Sequence, residues 1–163
     1  MPFNEEYISD SFDDNGELGN VYTQISELGF DPINEIPKVF SHYHITEGYD
    51  TYDDIRQCLE IATDLNAQTA VISFIFRSSR DSDECDFKLN DIEARLYLTE
   101  KNEREKIAEM SFGKKHGLPT KNQMIIEISE KALELCRINE IKKQFGIGEH
   151  TQTNNNKKNI RRL

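Results

Sequence analysis

The chain has 163 residues, of which 36% are hydrophobic and 31% charged, with a formal charge of -10. That suits one soluble domain with a modest core, and it argues against general binding of phosphate backbones. No apolar run approaches the roughly 18 residues of a membrane helix, the N-terminus lacks an apolar signal core, and Cys58, Cys85 and Cys136 are too widely spaced for a metal knuckle, so a cytoplasmic protein is expected.

Residues 1–15 are polar and acidic and read as an extended or flexible arm. A helix is predicted next, because Leu18, Val21, Tyr22, Ile25 and Leu28 make one stripe. Asn15 is placed to cap it, and Gly29 to end it in the left-handed region. Pro32 and Pro37 stop any continuation.

Lys38 to Thr46 reads as a strand, with Val39, Ser41, Tyr43 and Ile45 on one face and Phe40, His42 and His44 on the other. After a turn at 47–50, Ile55, Cys58, Leu59, Ala62 and Leu65 fit a helical stripe over 52–65. Ala70 to Phe76 is nearly all apolar and reads as a buried central strand. Strand, helix and strand together predict a β-α-β unit, right-handed if its strands are parallel. Residues 77–86 read as a polar acidic loop.

Residues 87–111 are ambiguous between the two periods. Ala94, Leu96 and Leu98 alternate with Arg95, Tyr97 and Thr99, which predicts a strand to about Thr99. The Glu, Lys and Arg that follow favour a short helix from about Asn102. Gly113 to Pro119 is a break. The final helix, 121–145, carries Ile125, Ile128, Ala132, Leu135, Ile138 and Ile141, with Thr120 and Gln123 as a capping box. A rival reading makes Met124 to Ile128 a strand and caps the helix at Ser129. Residues 149–163 are a basic polar tail. The expected fold is a single α+β domain over 16–148, with a small mixed sheet packed against amphipathic helices, mainly 52–65 and 121–145.

His42 and His44 share a strand face about 6.6 Å apart, a spacing at which two imidazoles can hold one metal. Glu47, Asp50 or Asp53 would supply a third ligand. Asp81 to Asp86 resembles half a calcium loop but has Asp86 where the sharp turn needs Gly. Cys58 and Cys136 lie on apolar stripes and read as core, while Cys85 sits in the acidic loop. Gly113 and Gly117 lack the ending of a phosphate loop, and no nucleophile elbow or dinucleotide fingerprint is present.

The charge is uneven. Residues 1–100 hold 22 acids and 6 bases, whereas 101–163 hold 8 acids and 14 bases. With catalytic signatures lacking, this favours a non-enzymatic acidic interaction module, an inhibitor or regulator of a larger enzyme with a basic groove. Asp50, Asp53, Asp54, Asp81, Asp83, Glu84 and Asp86 are its candidate binding residues. No cofactor, membrane or direct nucleic-acid contact is expected. The alternative is a small metal-dependent or nucleotide-processing enzyme at His42 and His44. Met124, Ile126, Leu133 and Phe145 lie partly off the stripe of the last helix. They would be covered in a homodimer, or by residues 1–15 or 102–111 of the same chain.

Overall fold

Ala70 to Phe76 does form the centre of a sheet, within a strand that extends far beyond it. The computed structural model describes residues 3–7, 18–31, 34–35, 37–81, 83–100 and 102–145. The expected cap at Asn15 and the tail at 149–163 lie outside these residues. Six strands, β1 Phe3–Tyr7, β2 Lys38–Glu47, β3 Asp50–Leu65, β4 Gln68–Asp81, β5 Lys88–Glu100 and β6 Glu103–Gly113, lie side by side in chain order. Every neighbouring pair is antiparallel. Two helices, α1 Gly19–Glu27 and α2 Lys121–Gln144, complete a single small α+β domain.

Three expectations are corrected. Residues 52–65 are strand β3, not a helix, so the β-α-β unit and its crossover do not exist. The sheet is antiparallel throughout rather than mixed. Residues 103–113 form edge strand β6, not a helix. The physical cause lies in short hairpins. Only Gly48 and Tyr49 separate the paired Glu47 and Asp50. Only Asn66 and Ala67 separate Leu65 from Gln68, both with positive φ (50° and 68°). Such a turn matches strand twist and sends the chain straight back along its neighbour.

One sheet face carries the core. Ile55 on β3, Ile72, Phe74 and Phe76 on β4, Ile92, Ala94 and Leu96 on β5, and Ala108 and Phe112 on β6 are buried there. Helix α1 adds Val21 and Ile25, with Leu18 just before it, and α2 adds Met124, Ile128 and Ala132. Phe30, just past α1, meets Phe74 and Phe76 edge-on, with both centroids at 5.3 Å. Gly29, at φ 106°, permits this by ending α1 with bonds from Gly29 N to Ser26 O and from Phe30 N to Ile25 O. At the start of α2, Thr120 Oγ1 accepts from Gln123 N at 3.2 Å, which supports the longer of the two helix readings.

Among the described residues, no helix lies on the opposite face. Arg104 makes a two-pronged bond to Glu60 across it (2.6 and 2.9 Å), and Arg95 bonds Glu93 at 2.7 Å. Cys58 belongs to this half-buried face, with its Sγ 3.2 Å from Ser73 Oγ, rather than to a helical core stripe. Cys136 is likewise only half-buried, and Cys85 is exposed.

Candidate functional site

Strand register assembles one polar row on the helix-bearing face. His44 lies directly opposite Asp53, and Asp53 directly opposite Arg80. His44 Nδ1 is 2.7 Å from Asp53 Oδ1, and Arg80 Nε donates to Asp53 Oδ2 at 3.1 Å. His42, one pleat away, places Nε2 3.7 Å from Asp53 Oδ1. Of the three expected third ligands, Asp53 is the one brought to both imidazoles.

Phe87 walls this row. The Arg80 guanidinium lies 4.4 Å from the centre of its ring, and His42 approaches it edge-on at 6.2 Å. Arg80 also donates to Cys85 O at 2.8 Å, which ties the row to the loop before β5. Asp53 is only 8% exposed. Burial pushes its carboxyl up, but hydrogen bonds from His44 and Arg80 outweigh that and hold it below the usual range. The result is a hydrogen-bonded carboxylate beside the Arg80 guanidinium, in which His44 spends a ring nitrogen on Asp53. Among the described residues no three His, Cys, Asp or Glu side chains form a group suited to a metal ion.

The seven acids expected to share one binding face are divided. Asp53 is buried in the row just described, because it belongs to a strand and not to the exposed start of a helix. Asp54 points to the other sheet face, where burial raises its pKa despite Arg77 and Arg56 nearby. Glu84 folds back, accepting from Asp81 N at 3.0 Å, and pairs with Lys88 at 3.5 Å. Asp86 is exposed in the same loop.

Asp50, Asp81 and Asp83 do come together. With Tyr49 and Thr51 they line a concavity of about 430 Å³ at the β2–β3 hairpin end of the sheet. Tyr49 is fully exposed at its rim. Sequence reading missed Tyr49, since only the two-residue hairpin beside the end of β4 reveals its neighbours. A second concavity, about 540 Å³, includes Thr69, Leu98, Glu103 and Arg104 in its lining. Arg104 there is already bonded to Glu60, so its charge is committed to the fold.

On α2 the outward residues behave differently from one another. Ile126, Leu133 and Phe145 are exposed, as the expected off-stripe positions require. Met124 is fully buried and belongs to the core, because the helix meets the sheet along Met124, Ile128 and Ala132.

No helix among the described residues is long and apolar enough to cross a membrane. No protein-family model matches the chain, and no curated protein or solved structure matches it.

Proposed function

We propose that this protein is a non-enzymatic interaction module that engages a basic protein surface and thereby regulates or inhibits a larger partner enzyme. The observation that carries the reading is the concavity of Tyr49, Asp50, Thr51, Asp81 and Asp83. Three aspartates line it, and no cationic residue among the described residues does. A lysine or arginine side chain from a partner supplies the missing charge. Tyr49 gives it an aromatic surface to lie against, as tyrosines do at the centres of interfaces. The net acidity of residues 1–100 extends this attraction beyond contact distance.

The test uses a lysine- and arginine-rich peptide as the probe, with a neutral peptide of equal length as control. Binding is read by fluorescence anisotropy at low and high salt. The proposal expects salt-sensitive binding of the basic peptide alone, weakened about tenfold by Asp81→Asn with Asp83→Asn. Unchanged affinity in the double variant would overturn it.

A second reading rests on His44 and Asp53. A carboxylate 2.7 Å from Nδ1 orients the imidazole and leaves its other ring nitrogen for a substrate proton, which suits a general base acting on a nucleotide, with or without a metal. Turnover of a nucleotide panel that disappears in His44→Ala would support it. Elemental analysis of untagged protein separates its metal-dependent form from the metal-free one.

A further inference from the structure

Helix α2 has a second apolar stripe, on the side away from the sheet. Its fully buried residues, Met124, Ile128 and Ala132, lie in its first half, and Ile125 and Leu135 pack against the core beside them. On the opposite side Ile126 is 48% exposed, and Leu133 and Ile141 are each 41% exposed. Glu130 and Arg137 complete this line, giving Ile126, Glu130, Leu133, Arg137 and Ile141 at spacings of 4, 3, 4 and 4 residues. Such spacings keep all five on one side of a helix.

We propose that this line is a self-association surface, occupied by the same helix of a second copy in antiparallel orientation. The order of residues is what selects that occupant. A two-fold axis between Leu133 and Glu134 sets Ile126 of one copy against Ile141 of the other. The same axis sets Glu130 against Arg137, twice over, and brings the two Leu133 side chains together. Apolar groups meet apolar groups and each charge meets its opposite. A parallel pairing would instead stack Glu130 on Glu130 and Arg137 on Arg137, which is repulsive at both levels. Glu134 lies beside the axis and is held by its own chain, with Arg137 at 2.6 Å, so it does not face its copy unneutralised. The contact is one helix wide, so the dimer forms on concentration and dissociates on dilution.

Sedimentation velocity on the full chain, over a hundredfold range of concentration, reads the outcome. The expected result is a mass rising from one chain toward two. Leu133→Glu should hold the protein at one chain throughout. Glu130→Arg alone and Arg137→Glu alone should each weaken association about tenfold or more. The double exchange should restore it, because the antiparallel pairs are re-formed and Glu134 keeps a cation one turn away. These positions are on the surface, and circular dichroism confirms that each variant is folded. A single-chain mass at every concentration would overturn the proposal. So would a dimer indifferent to Leu133→Glu, or a double exchange no better than its parents.

Discussion

His44 and Asp53 face each other across the β2–β3 pair, with the imidazole Nδ1 2.7 Å from the carboxylate Oδ1. Arg80 closes the same carboxylate from β4 at 3.1 Å. One carboxylate therefore joins three adjacent strands on the face that also bears the helices. Removing its charge takes away the carboxylate that a largely buried guanidinium bonds at 3.1 Å and that His44 meets at 2.7 Å.

Asp53→Asn should cost roughly 2 kcal/mol of stability at neutral pH. The sign of its pH dependence follows from the depressed pKa of Asp53. The carboxylate's contribution is complete above the ordinary aspartate value and is lost as pH falls through it toward the lower folded value. Urea unfolding at pH 7 and at about pH 3 should show the gap between variant and parent closing in acid.

Asp54 carries the opposite sign, although it is the next residue. Burial raises its pKa, so its ionised form costs stability at neutral pH and that cost disappears as the group is protonated. Asp54→Asn should be neutral or stabilising by about 0.5 kcal/mol at pH 7. Any advantage should vanish in acid. Thermal melts of the two asparagine variants, run together across pH, should diverge in these opposite directions.

Phe30→Ala should cost about 3 kcal/mol or more, since the ring fills the space between α1 and the sheet against Phe74 and Phe76. The check is the midpoint of chemical unfolding, with an unchanged denaturant slope as evidence that the same fold is lost.

Thr120→Ala should cost about 1 kcal/mol by exposing the Gln123 N–H that Thr120 Oγ1 satisfies. Hydrogen exchange should locate the loss in the first turn of α2 and leave β3 and β4 unaffected.

The sequence revealed some elements because their local signals agree with their surroundings. Ala70 to Phe76 is apolar on both faces and sits in the middle of the sheet. Gly29 and Thr120 mark helix ends by backbone chemistry that needs no tertiary context. Strand β3 was hidden because two core-facing positions, Gln57 and Thr63, are polar and interrupt the alternation of Ile55, Leu59, Ile61 and Leu65. The same residues then fit a helical period, and Asn66 serves equally as a helix end or a hairpin residue of positive φ. Strand β6 was hidden by its charges, which suit a sheet edge as well as a helix surface. The site followed the fold. His42 and His44 were visible as a pair, whereas Arg80 joins them only through the antiparallel register. The acidic face divided for the same reason: in a strand Asp53 and Asp54 point to opposite sides.

The proposed engagement of a basic surface at the Tyr49 concavity is tested most directly by amide chemical shifts. Isotope-labelled protein is titrated with the lysine- and arginine-rich peptide at low salt. The account predicts the largest shifts at Tyr49, Asp50, Thr51, Asp81 and Asp83, the residues that line the concavity, and their reversal on adding salt. Shifts centred on the outer face of α2 or on the ion-paired sheet face, with these five residues unmoved, would contradict it.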